Sequence, residues 1–127
     1  MHSSTLSQPN RAAIEGAWRL EAYVRHDKTT AVTGILIMTA GWWCTLYFVP
    51  QPEGGGYWGS AESGRYHVKE DRLTFQHELT FQGGGNKPLV FDLASTTEEE
   101  CRFVLTAGTL IVHFPSGSVI HCHRHSE

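Results

Sequence analysis

The chain has little of what many functional classes require. Its three cysteines, at positions 44, 101 and 122, are odd in number, widely spaced and without a C-x-x-C pair, which argues against a disulfide framework. Each sits in an apolar strand context and reads as a small buried hydrophobe. Cys122, flanked by histidines, is the candidate for a reactive thiol. Positive charge is not in excess: 10 basic against 13 acidic residues give a formal charge of −3, so nucleic acid and anionic membrane are poor partners. No apolar run approaches the ~20 residues of a membrane helix. The first fifteen residues lack the basic start and apolar run of a signal peptide, and a cytoplasmic location is expected. Helical periodicity is missing after residue 16, which removes the crossover helices of a parallel sheet.

What is present suits one soluble domain. Hydrophobic residues make up 40% and charged residues 18%, an ordinary globular balance. The 127 residues leave room for a single domain, 1–127, able to bury roughly two-thirds of its unfolded surface. Residues 1–6 read as a flexible tail. Ser7 and Pro9 open a short helical turn that runs to about Ile14 and stops at Gly16. From Trp18 the chain alternates with period two, and His26 to Thr30 reads as a polar turn. Strands follow over 34–39, 42–49, 57–68, 72–81, 89–94, 101–106, 109–114 and 118–125. The loops Pro50 to Gly56 and Gly83 to Asn86 each hold three successive glycines. Neither glycine triplet leads into Gly-Lys-Ser/Thr or a helix, so neither is a phosphate loop. About nine short strands at hairpin spacing predict an all-β fold: an antiparallel up-and-down β-barrel of about 8–10 strands with a short N-terminal helical turn. Such a barrel has an interior wide enough for one small ligand.

Several of these segments resemble lipocalin-like bacterial β-barrel proteins of the calycin type. Gly16-Ala17-Trp18-Arg19-Leu20 is similar to their opening strand. Gly34 to Gly41 is similar to the second strand and its turn. Ala61 to Tyr66 followed by Leu73 to His77 is similar to the central hairpin. Thr109-Leu110-Ile111 and the last strand with Arg124 complete a likeness spanning about 14–125. Trp42-Trp43 and the histidine-rich last strand depart from the family pattern. The resemblance implies a central cavity for small, mostly apolar molecules. It also implies a structural pairing in which Trp18 packs at the closed end under Arg124, a cation–π contact. Arg124 pointing into the cavity to hold an acidic head group is the alternative.

Three constellations can carry chemistry. His77 shares a period-two face with Leu73, Phe75, Leu79 and Phe81, and alternation on the preceding strand groups Glu62, Tyr66 and Val68. A hairpin about Lys69-Glu70-Asp71 brings these faces together, placing an imidazole, a carboxyl and a phenol in an apolar interior. That set can orient a ligand, serve acid–base catalysis, or simply hold a buried histidine. His121, His123 and His125 share one face of the last strand, ~6.8 Å between neighbours, and His113 is the nearest candidate for a further metal ligand. The favoured register, Leu110, Val112 and Phe114 over Ile120 and Cys122 as the inner face, turns these histidines outward, so no metal site is expected. The third set is aromatic: Trp42, Trp43, Tyr47, Phe48, Tyr57 and Trp58. Alternation places Trp42, Cys44, Leu46 and Phe48 inward, with Tyr57 and Trp58 beside the glycine loop at the cavity mouth.

The leading expectation is a binding protein that holds a small hydrophobic molecule, without a cofactor, against His77, Glu62, Tyr66, Phe75, Leu79, Trp42, Phe48 and Trp58. The alternatives are an isomerase, cyclase or hydratase using His77, Glu62 and Tyr66, and a histidine-ligated metal or haem protein drawing on His113, His121 and His123. A homodimer through exposed aromatics is a further expectation.

Overall fold

The computed structural model describes residues 12–51 and 56–125. The expected tail, the Ser7 cap and the middle of the loop after Pro50 lie outside these residues. A single helical turn at 12–14 precedes nine strands. They are β1 (Gly16–Arg25), β2 (Lys28–Thr39), β3 (Trp42–Pro50), β4 (Tyr57–Lys69), β5 (Arg72–Gly84), β6 (Lys87–Asp92), β7 (Glu98–Leu105), β8 (Thr109–His113) and β9 (Val119–Arg124). All pairings are antiparallel, in the order β4-β3-β2-β1-β9-β8-β7-β5-β6, and β4 also pairs with β5. That last pairing closes eight strands into a barrel and leaves β6 outside it. β5 serves two neighbours in turn: Arg72–Gln76 pair with β7, and Thr80–Gly84 pair with β6.

Tight turns set the register. His26–Asp27 and Ala40–Gly41 are two-residue connections with positive φ at both positions (53° and 62°; 48° and 87°), the turn class whose twist matches a hairpin. The first is shorter than the polar turn expected there, and β2 already begins at Lys28. The second decides which way β3 faces. It pairs Thr39 with Trp42 and Met38 with Trp43. Met38 is fully buried, so Trp43 points inward, and Thr45, Tyr47 and Val49 follow it. The expected facing of β3 is therefore reversed: Trp42, Leu46 and Phe48 are 47%, 44% and 42% exposed, and Cys44 is exposed too. Both faces of Trp-Trp-Cys-Thr-Leu-Tyr-Phe-Val are uncharged, so alternation alone carries no inside or outside.

Two bulges reverse the alternation partway along a strand. On β1, Leu20 pairs with Cys122 and Ala22 with His121, leaving Glu21 as an extra residue. Beyond it Tyr23 and Arg25, not Val24, line the interior. On β5, His77 pairs with Gly64 and Leu79 with Ser63, leaving Glu78 extra. Leu73, Phe75 and His77 point inward as expected, but Leu79 and Phe81 are turned outward at 46% and 40% exposure. Gly64 is what lets the bulge sit this close, since a Cβ there would lie 1.7 Å from the Gln76 carbonyl oxygen. Gly83 and Gly84 extend β5 rather than forming a loop, and Gly85–Asn86 make the turn into β6.

One end of the barrel is solid. Ile14, Trp18, Met38, Leu73, Cys101, Leu110, Val112 and Cys122 are fully buried there. Leu110 pairs with Cys122 and Val112 with Ile120, the expected inner face. The Arg124 guanidinium carbon lies 4.1 Å from the centroid of the Trp18 ring. Arg124 also donates from Nη1 to the Glu15 carbonyl (2.9 Å) and from Nη2 to the Ala13 carbonyl, while Trp18 Nε1 donates to the Ile14 carbonyl (2.8 Å). The short helical turn is thus fastened across the barrel end by the two side chains that the resemblance paired. Desolvated, such a cation–π contact contributes about 2 kcal/mol.

Candidate functional site

Above this floor the barrel is hollow. A cavity of about 570 Å³ is walled by Leu20, Val32, Leu36, Val49, Phe75, Phe114 and Ile120 together with Tyr23, Trp43, Tyr47 and Trp58. Arg25, Thr30, Gln51 and Ser116 also line it. The volume and mixed lining are those of a small-molecule site.

One polar cluster interrupts the apolar wall. His77 Nδ1 lies 2.9 Å from Glu62 Oε1, and His77 Nε2 lies 2.7 Å from Glu99 Oε1. Four adjacent strands build this contact. Glu62 comes from β4 and His77 from β5 opposite Gly64, while Glu99 enters from β7 opposite Phe75. The backbone N–H of His77 donates to the Thr97 carbonyl (2.8 Å), and its ring meets the Trp43 ring of β3 edge-on at 5.1 Å. The imidazole is therefore held from both nitrogens, from its backbone and on one face. The hydrogen bonds that the ring donates to Glu62 and Glu99 favour its protonated form and raise its pKa from 6.5 to about 9, against the opposing effect of burial. At neutral pH the cluster is carboxylate–imidazolium–carboxylate, with one net negative charge. A ring whose nitrogens both donate to carboxylates has no free lone pair to act as a base.

The cluster continues along the wall. Ser60 Oγ donates to Glu62 Oε2 at 3.3 Å, and the Tyr47 phenol is hydrogen-bonded to Ser60. Burial, reinforced by the Glu62 charge, pushes the Tyr47 phenol up to about 12, so it stays neutral. On the opposite wall the Tyr23 hydroxyl lies 3.0 Å from Ser118 Oγ.

The expected site residues divide cleanly. His77, Glu62, Phe75 and Trp58 come together in the cavity wall. Tyr66, at 5% exposure, belongs to the buried cluster with Phe75 and Leu73 rather than to the wall. Trp42, Phe48 and Leu79 lie on the outer surface, for the register and bulge reasons given above. Trp43 and Tyr47, expected in the aromatic set but on the outer face, line the cavity, and Glu99 and Tyr23 were not anticipated. Glu99 stands within the acidic run Glu98-Glu99-Glu100, which reads as a solvated turn, and only the pairing with Phe75 singles out its middle member.

The remaining reactive candidates are separate from the cavity cluster. Cys122 is fully buried, and burial pushes its thiol up to about 12; Cys101 behaves alike, so neither is a nucleophile at neutral pH. His113, His121 and His123 pair with Val119, Ile111 and Thr109, and His123 Nε2 lies 2.9 Å from Glu21 Oε1. Among the described residues, no group of three His, Cys, Asp or Glu side chains is placed to hold a metal ion. No helix among them is long and apolar enough to cross a membrane.

Fold and site together define a class: a closed eight-stranded antiparallel barrel with one solid end and an internal pocket. Comparison with protein families and with curated proteins finds no match to the chain.

Proposed function

We propose that the protein is a lipocalin-like binder of one small apolar or aromatic molecule. The observation that carries this reading is the 570 Å³ cavity, whose wall is mainly apolar and aromatic and holds the Glu62–His77–Glu99 cluster, with Arg25, Thr30 and Gln51 also in its lining. Aromatic and aliphatic walls favour a flat hydrophobic body. The cluster is rich in acceptors, so it orients a ligand by receiving hydrogen bonds from an amine or hydroxyl at one end. Enzymatic use of His77 as general base is disfavoured, because both ring nitrogens are engaged.

N-phenyl-1-naphthylamine is a suitable probe, being a neutral aromatic amine that fluoresces on entering an apolar site. Saturable one-site binding in the micromolar range is expected, together with a retained small molecule in native mass spectrometry of untagged protein. Val49→Trp, which fills the cavity, should lower probe affinity at least tenfold while leaving thermal unfolding cooperative. A folded Val49→Trp variant that binds the probe as tightly as the parent overturns the reading.

A further inference from the structure

The residues that turned outward form a surface of their own. Ile35 of β2 pairs with Leu46 of β3, Leu46 with Ala61 of β4, Ala61 with Phe81 of β5 and Phe81 with Phe91 of β6. This apolar row crosses five adjacent strands on the outside of the barrel. Cys44 and Leu79 flank it on one side, and Phe48 and Leu89 on the other. Phe81 and Phe91 touch edge to face at 4.6 Å, and the Phe48 ring lies over Gly59. No charged side chain falls within the row. Charges border it: Arg19 of β1 pairs with Ile35 at one end of the row, Arg65 lies 4.5 Å from the centroid of the Trp42 ring and 3.7 Å from Glu78, and Lys87 begins β6. The outward positions on the other half of the barrel are mostly charged or imidazole side chains, Arg19, Glu21, Glu98, Glu100, Arg102, His113 and His123, with Val104 an apolar exception.

We infer that this face joins two copies of the chain in a symmetric dimer. Size is the first argument. Ile37, Trp42, Leu46, Phe48, Leu79, Phe81, Leu89 and Phe91 are between 37% and 59% exposed. At roughly 200 Å² for a large side chain, they present on the order of 700 Å² of apolar surface. The largest patch on an ordinary monomer is ~300–600 Å², and a standard interface takes ~800 Å² from each partner. Charge is the second argument. An apolar centre meets its own copy without like-charge repulsion, and a rim that carries Arg19 and the Arg65–Glu78 pair has the anatomy of an interface edge. An anionic lipid surface would instead require a cationic rim, and the chain carries a formal charge of −3. Shape is the third. Two convex barrel walls would meet along a line, but β6 leaves the barrel with the upper half of β5. The resulting wing can lap over the β2–β3 wall of the second copy, setting Phe91 against the partner's Leu46 while the partner's wing does the same in return.

Sedimentation equilibrium of the full chain tests this. Twice the chain mass is expected at micromolar concentration. Leu46→Glu should raise the dimer dissociation constant at least about 100-fold, because the symmetry sets two buried carboxylates on one apolar face. Phe91→Glu gives the same readout from a strand outside the barrel, so barrel closure does not depend on it. Val104→Glu, on the outer face of β7, should leave the dimer intact. A parent chain that stays monomeric at 100 μM, or a dimer that survives both Leu46→Glu and Phe91→Glu, overturns the inference. A parent that is monomeric in solution and binds neutral phosphatidylcholine vesicles through this face overturns it in favour of a lipid surface.

Discussion

The two ends of the barrel interior use similar residue types to opposite effect. At the closed end Trp18, Met38, Leu73, Leu110 and Val112 fill the space completely, and the one charge, Arg124, lies over an aromatic ring with carbonyl partners. At the other end Trp43, Tyr47, Trp58 and Tyr23 stand around a cavity, and the Glu62–His77–Glu99 triplet and Arg25 line it. The two bulges mark the change. Beyond Glu21 and Glu78 the inward set changes parity, so β1 sends a tyrosine and an arginine inward while β5 turns Leu79 and Phe81 out. Material that would have completed the core is spent on the outer wall. The barrel is thus packed solid at one end and keeps its cavity at the other.

The strongest way to break that division is Trp18→Ala. Removing a fully buried indole and its ring contact with Arg124 should cost about 3–5 kcal/mol by denaturant unfolding. Affinity for N-phenyl-1-naphthylamine, measured where the variant is still folded, should change less than twofold. A large loss of affinity with little loss of stability would reverse the assignment of the two ends.

The pH dependence probes the cavity end. The folded-state pKa of His77, about 9, lies above its unfolded value of 6.5, so folding takes up protons between them. The stabilisation is fully present below pH 6.5 and is lost as pH rises through 9. At ~1.4 kcal/mol per pKa unit the rise corresponds to roughly 3 kcal/mol, which solvent screening at this half-buried site reduces to on the order of 2 kcal/mol. His77→Gln removes it. The gap in unfolding free energy between parent and variant should be widest near pH 6 and nearly closed by pH 10. A gap that widens with pH would mean that the imidazole is neutral in the folded state.

The closed end was far more legible in the sequence than the open one. Gly16-Ala17-Trp18 and Arg124 lie where the resemblance puts them because tight hairpins leave little freedom of register at the floor. His77 and Glu62 were also legible, since each precedes or sits at the β4–β5 irregularity on strands whose polar and apolar faces differ. The failures share one cause. β3 is uncharged on both faces, so only the Ala40–Gly41 turn orients it. On β5 the pattern from Leu73 to Phe81 runs evenly through the bulge at Glu78, and an extra residue leaves no mark on alternation. An apolar residue in these stretches belongs equally well to a cavity wall or to an interface. Leu79, Trp42 and Phe48 lie on the outer surface.

The smallest expected effect sharpens the comparison most, because it separates packing from polarity within one side chain. Tyr47→Phe keeps the ring against Trp58, 6.1 Å between centroids, and deletes only the hydroxyl that bonds Ser60. Stability should fall by no more than about 1 kcal/mol, the net worth of one hydrogen bond. Spectrophotometric titration gives the finer readout. Burial and the Glu62 charge both oppose formation of the phenolate, so the Tyr47 phenol should resist ionisation until about pH 12. In Tyr47→Phe that late-titrating contribution should be missing from the difference titration. A ligand whose amine or hydroxyl docks on the Ser60–Glu62–His77 chain would lose a neighbour of its anchor, with a two- to fivefold drop in affinity. A Tyr47 that instead ionises near pH 10 would mean water reaches the upper wall freely, and the cavity would then be an open cleft rather than a pocket.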